Sequence, residues 1–283
     1  MKTVKWHALL LALILSAATR AGAAEPNVVV SIYPLHSLAA SVMAGIAKPI
    51  LLLESGTSPH NFALKPSQAR LLQSADLIIW IGEGLEYPLT RFVENLPPGR
   101  SLPLTAPDAG RQQNLHIWLD PDRAQLIVST LVDKLSALDP EHAARYRANG
   151  AQLNKKIGKL ASELELLLRP YRNALYIVYH DAYSHFERRF GLTNQGAVTP
   201  DEERRPGASH IRHIRATIAA SGARCIFLET QFEPQILAAI TEDRDIRVGE
   251  LDPLGVDLVP GVNGFFHLMR NLARGFANCL SQP

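Results

Sequence analysis

The chain has 283 residues, of which 47% are hydrophobic and 20% charged, and its mean hydropathy is close to zero. This excludes wholesale disorder, and at roughly 100–200 residues per domain the length predicts two domains. Lys and Arg number 29 against 27 Asp and Glu, a net charge of +2, and aromatics are only 7%, so neither an electrostatic nor a stacking surface for nucleic acid is expected.

Residues 1–24 read as a cleaved secretory signal. Lys2 and Lys5 make a basic start, and the apolar run Ala8 to Ala18 is 11 residues long, against the about 20 needed to span a bilayer. Ala21-Gly22-Ala23-Ala24 then offers small residues, with processing expected near Ala23 or Ala24. A retained membrane anchor is the alternative reading. No Cys follows the run, so no lipid anchor is expected there. Losing Lys2, Lys5 and Arg20 leaves 26 basic against 27 acidic side chains, a nearly neutral mature protein.

Short apolar runs then alternate with helical patterns. Asn27–Tyr33, Pro49–Glu54 and Asp76–Gly82 read as buried strands, with helical spacing at Ser37–Ala44 and Ser67–Gln73 between them. Leu96 to Arg111, rich in Pro, Gly and Ala, reads as an extended surface loop. In the second half Ala174–Tyr179, Arg224–Glu229 and Arg247–Leu251 repeat the strand theme, separated by helical stretches at Ser184–Arg189, Ala208–Ala220 and Pro234–Glu242. Continuous apolar strands alternating with helices predict an α/β fold with parallel sheets covered on both faces.

The middle of the chain differs. From Pro140 to Arg169 the only breakers are Gly150 and Gly158, and Tyr146, Leu153, Ile157, Leu160, Leu164 and Leu167 form one apolar stripe. Asp139-Pro140 supplies an N-cap with Pro at the first helical position, and Pro170 ends the run. Thirty residues make a helix of about 45 Å, long enough to join two lobes rigidly. Two shorter helices broken at Gly150 or Gly158 are the alternative. The expected organisation is a signal peptide at 1–24, an N-terminal α/β lobe at 25–138, the connecting helix at 139–170 and a C-terminal α/β lobe at 171–283.

There are two cysteines, Cys225 and Cys279, 54 positions apart. Export permits a disulfide, worth about 4 kcal/mol of chain entropy at that spacing. Two buried thiols are the alternative.

Of the ten His residues, His7 lies in the signal, His142 reads as a solvated helix residue, His36 as a packing or capping residue, and His267 as an edge-of-core residue of the last helix. His60 and His180 follow strands, where open parallel sheets bind ligands, and so does Asp252. His116 stands in the segment Asn114-Leu115-His116-Ile117-Trp118-Leu119-Asp120-Pro121. Three imidazoles and a carboxylate suit a tetrahedral Zn²⁺ shell. Their gaps of 56, 64 and 72 residues contain no local metal motif. His185 sits about 140° around a helix from His180, which turns it away from a shared ion and toward the lobe surface. His210 and His213 read as a weak secondary pair or as solvated neighbours of Arg212 and Arg215. Glu229, at a strand end, reads either as a hydrogen-bond partner of a ligand His or as an ordinary strand-end carboxylate.

Taken together, Gly56–His60 with Phe62–Ser67, His116–Pro121 (HIWLDP), His180–Phe186 (HDAYSHF) with Phe190-Gly191-Leu192, Pro206-Gly207-Ala208 and Leu251–Gly255 (LDPLG) resemble the ZnuA-like periplasmic solute-binding proteins of zinc ABC importers. The resemblance runs over nearly the whole mature chain. It implies two α/β lobes joined by a long helix, a metal site in the cleft between them, and ligands His60, His116, His180 and Asp252. It also implies a cysteine pair at Cys225 and Cys279, no catalysis, a periplasmic location and a membrane permease as partner of a monomeric receptor.

Two departures stand out. Thr105–Gln113 contains no His, where many zinc receptors carry a His- and acid-rich loop. Pro59 stands directly before His60, where some relatives have an acidic residue, so Asp252 is the better fourth ligand, with water as the alternative. Imidazole suits Zn²⁺, whereas Mn²⁺ prefers oxygen-rich shells, and manganese receptors of the class tend to have Glu in place of His180. The alternatives are a receptor for manganese or another divalent metal and a secreted zinc hydrolase, against which stands the absence of an H-E-x-x-H helix.

Overall fold

The apolar runs of the sequence become six of the eight strands of two parallel sheets. A computed structural model describes residues 25–105, 114–199, 207–229, 240–241 and 246–281. The signal segment 1–24, most of the helix expected at Pro234–Glu242, and the His-free segment beyond Thr105 lie outside the described residues. The first sheet has the order β2-β1-β3-β4, with β1 Val28–Val30, β2 Ile50–Leu51, β3 Leu77–Trp80 and β4 Ser101–Pro103. The second has the order β6-β5-β7-β8, with β5 Leu175–His180, β6 Thr193–Thr199, β7 Cys225–Leu228 and β8 Arg247–Glu250. Every pairing is parallel. The two lobes share one strand order although the sequence shows no internal repeat.

Helices α1 (Tyr33–Val42), α2 (Pro66–Ser74), α3 (Tyr87–Glu94) and α4 (Pro121–Leu138) belong with the first sheet. After the long α5 (Ala143–Leu168), α6 (Ser184–Phe190), α7 (Ala208–Ser221) and a last helix, α8 (Gly264–Leu280), accompany the second. Strands of the second sheet are covered on both faces. Tyr176, Val178 and Phe227 enter the main core with Phe276, while Ile177, Tyr179 and Ile226 pack with Ile214 and Ile218 of α7.

The expected long helix is present and unbroken. Alpha-helical turns run from Ala143 to Leu168, about 39 Å, with 3-10 turns at Pro140–His142 and Arg169–Tyr171. Gly150 lies within the helix where a side chain would not fit: a Cβ would stand 2.4 Å from Val132 Cγ2 on α4. Two details differ from the sequence reading. Leu168, not Leu167, completes the buried stripe, since Leu167 is 37% exposed. Asp139 does not cap with its side chain; its Oδ2 accepts from Tyr146 Oη at 2.9 Å and meets His142 Nδ1 at 2.8 Å, so His142, with its side chain 36% exposed, is both solvated and tied down.

The lobes are joined by more than α5. Helix α8 packs on α1 and α5, and Arg270 forks onto Glu163 at 2.8 and 2.7 Å. Phe265 N–H donates to Ser37 Oγ at 2.8 Å. Val30 of the first sheet and Tyr176 of the second belong to one continuous buried cluster. A wide hinge opening would expose that shared core to water, at about 25 cal/mol per Å² of apolar surface. Cys225 and Cys279 form a disulfide between β7 and the end of α8.

Candidate metal centre

His60 leaves the end of β2 through a loop in which Gly56 adopts φ +80°, a left-handed conformation that favours glycine. His116 stands immediately before the 3-10 turn Ile117–Leu119, which leads into α4 under a cap from Asp120 Oδ1 to Asp122 N–H at 2.9 Å. His180 is the last residue of the central strand β5. His116 and His180 are buried, at 5% and 3% exposure, and His60 is half-buried.

The three imidazoles meet. Each offers a ligand atom lying within 4.8 Å of the others, and the ring centroids are 5.5, 6.3 and 5.2 Å apart. His180 Nε2 and His116 Nε2 are 3.5 Å apart. Two nitrogens on one tetrahedral zinc, each at 2.0–2.1 Å, would be separated by about 3.3 Å, so little movement would be needed for these two to share an ion.

The neighbours fix which nitrogen two of the rings present. The backbone N–H of His116 can only donate, and it points at Asn114 Oδ1 at 2.9 Å. That oxygen therefore accepts, and His116 Nδ1, also at 2.9 Å from it, must carry the proton. The lone pair of His116 is left on Nε2. His180 Nδ1 pairs with Glu229 Oε1, which also accepts from Tyr183 Oη at 3.0 Å, and this again turns Nε2 toward the cluster. A carboxylate behind a ligand imidazole orients it and raises its basicity. Burial, and then the neighbouring His180, His60 and His185, hold the His116 imidazole well below the usual histidine range. It is neutral at neutral pH, the state a metal requires.

Asp252 is not among the side chains gathered within 4.8 Å. Its Oδ1 accepts from the backbone N–H groups of Leu254 and Gly255 at 2.9 and 2.7 Å, and its Oδ2 from Val256 at 2.6 Å. This shapes the loop after β8, whose Val256 carbonyl accepts from Ser55 Oγ in the His60 loop. Pro253 O accepts from Trp118 Nε1 at 2.8 Å, so the Asp252 loop rests on the turn that carries His116. Burial and the Asp252 charge push the nearby Tyr33 phenol up.

The remaining histidines among the described residues fall elsewhere. His185 is buried rather than on the lobe surface, because α6 packs back on the Asn114 segment and its Nε2 meets Asn114 O at 2.7 Å. His36 is buried with Nε2 at 3.1 Å from Pro49 O, a packing role as expected. His267 is exposed, not at the core edge. His210 and His213 are neighbours with ring centroids 6.3 Å apart, and His210 Nε2 contacts Val198 O. Asn114 and Tyr183 received no role from the sequence; a polar residue two positions before His116 was the available local signal.

The model of the ZnuA family, described as zinc-uptake complex component A, periplasmic, matches residues 28–279. The chain belongs to this family. The high-affinity zinc uptake system protein ZnuA of Brucella suis biovar 1 is 33% identical over 307 aligned residues, covering 90% of this chain and 92% of that protein. The protein of the same description from Yersinia pestis is 31% identical, covering 91% and 92%. Among solved structures, a crystal structure of ZnuA has a TM-score of 0.77 at 24% identity, covering 90% of this chain and 99% of that one. The periplasmic zinc binding protein TroA from Treponema pallidum has a TM-score of 0.79 at 20% identity, covering 91% and 100%. These structural likenesses establish the ZnuA-type fold: two parallel-sheet lobes and a long joining helix. The ZnuA family is one of uptake-system components, not of enzymes. Among the described residues, no helix is long and apolar enough to cross a membrane.

Proposed function

We propose that this protein is a periplasmic receptor that captures Zn²⁺ and delivers it to the permease of an ABC importer. The observation that carries this reading is the convergence of His60, His116 and His180 from both lobes, with Nε2 lone pairs turned inward on His116 and His180. A nitrogen-rich set suits Zn²⁺ better than Mn²⁺. Asp252 is the fourth ligand in this proposal. A carboxylate has about four lone-pair sites, and three backbone donors occupy Asp252, two on Oδ1 and one on Oδ2. Oδ2 therefore keeps a lone pair for the ion. The protein works as a monomer without catalytic activity, after removal of residues 1–24, with lobes at 25–138 and 171–283 around the helix 139–170. A hydrolase would need a carboxylate poised as general base; Glu229 is already engaged by His180 and Tyr183.

Calorimetry tests this. Zn²⁺ should bind one to one, and His60→Ala should weaken binding strongly. Unchanged tight binding in that variant would remove His60 from the shell, and no zinc binding by the wild type would overturn the function.

A further inference from the structure

We propose that Asn114 is a positioning residue that clasps the two lobes across the metal site, so that the ligating state of His116 is tied to the docking of the second lobe. This rests on the zinc-receptor reading above. Asn114 has partners for its side-chain oxygen, its side-chain nitrogen and its backbone carbonyl. Its Oδ1 accepts from the His116 backbone N–H and from His116 Nδ1, both at 2.9 Å. Its Nδ2 donates to Asp181 O at 2.6 Å and approaches Asp181 Oδ1 at 3.3 Å. Its backbone carbonyl accepts from His185 Nε2 at 2.7 Å.

The orientation of the amide is not a matter of choice. A backbone N–H faces one end and a backbone carbonyl faces the other, so the oxygen must serve His116 and the nitrogen must serve Asp181. Asn114 and His116 precede α4 of the first lobe. Asp181 directly follows His180 at the end of β5, and His185 lies on α6, both in the second lobe. One side chain therefore joins the ring orientation of one imidazole to the backbone beside another. Separating the lobes would break the Asp181 and His185 contacts and loosen the group that fixes the His116 tautomer. Loss of zinc and loss of lobe contact would then occur together.

The experiment uses the full mature protein as wild type, Asn114→Ala and Asn114→Asp. Zinc dissociation into excess chelator is followed by stopped flow, alongside the melting temperature of the metal-free protein and the visible spectrum of the Co²⁺ form. Asn114→Ala should release zinc at least about tenfold faster, the usual scale for partners of ligand histidines, with little change in metal-free melting. Asn114→Asp separates the clasp from mere orientation. It keeps, and by its charge strengthens, the acceptor for His116, but it cannot donate to Asp181 O. The clasp predicts a Co²⁺ spectrum like wild type and zinc release still faster than wild type. Release from Asn114→Asp as slow as wild type or slower would overturn the clasp, as would an unchanged rate in Asn114→Ala. Wild-type protein that takes up no zinc would overturn the functional reading, and the clasp with it; normal wild-type uptake beside unaffected variants would overturn the clasp alone.

Discussion

Replacing Glu229 by Gln removes the negative charge behind His180 while leaving an acceptor oxygen in place. Glu229 is 6% exposed, and Tyr183 donates to the same oxygen that pairs with His180 Nδ1. Salt and water screen such a buried pair poorly, so its charge acts on the imidazole at close to full strength. Losing the partner of a ligand histidine costs about 10–100-fold in metal affinity. Gln keeps a hydrogen bond and should fall near the lower end, about tenfold or about 1.4 kcal/mol. Glu229→Ala keeps neither charge nor acceptor and should approach about 100-fold, about 2.7 kcal/mol. Competition against a chromophoric chelator at neutral pH measures both. Wild-type affinity in Glu229→Gln, or equal affinity in the two variants, would refute the orientation of His180 by a carboxylate.

Other outcomes follow from the packing. Gly150→Ala should destabilise by about 1–3 kcal/mol, because overpacking against Val132 outweighs the gain in helix propensity. Gly158→Ala, whose Cβ would meet only Gln125 Nε2 at 3.7 Å, should stabilise by up to about 1 kcal/mol; urea midpoints that rank the two the other way would contradict the helix contact. Reducing the Cys225–Cys279 bridge should lower unfolding stability by about 4 kcal/mol, and an unchanged urea midpoint in reductant would contradict this. Burial pushes the Glu86 carboxyl up to about 7, against the pull of Ser31 and the backbone of Gly82 and Ile81, and does the same to Glu187. Both pKa values are raised on folding from 4.5, so their contribution to stability is full below that value and is lost as pH rises through about 7. The urea midpoint should therefore drop between about pH 5 and about pH 8, and Glu86→Gln should flatten the slope; an identical slope in the variant would sink this assignment.

The sequence disclosed what is carried by continuous patterns. Helix α5 was legible because its apolar stripe runs through two glycines without a change of phase, and the central strands because burial on both faces makes them uniformly apolar. Two of the four edge strands were not, whereas Ile50–Leu51 and Arg247–Glu250, also at sheet edges, fall inside runs that read as strands. Ser101–Pro103 is three residues inside a Pro- and Gly-rich stretch, and Thr193–Thr199 is polar with a glycine at its centre. Helix α4 is absent from the elements expected from the sequence, although Ala124, Ile127, Val128, Leu131 and Leu135 have helical spacing and are all buried. At the site, the gaps between His60, His116 and His180 are too long for any local motif. Only resemblance joined them before the fold brought them together. Asn114 could not be read as a clasp, because its partners Asp181 and His185 lie 67 and 71 positions away. Glu229 stands out in the sequence by its place at a strand end, but its pairing with His180 depends on β5 and β7 being neighbours.

Crystals grown with Zn²⁺ and measured on both sides of the zinc absorption edge test the site most directly. A single strong anomalous peak is predicted at about 2.0–2.1 Å from a ring nitrogen of His60 and from the Nε2 atoms of His116 and His180. A peak placed elsewhere, or none at that junction in protein that binds zinc in solution, would contradict it.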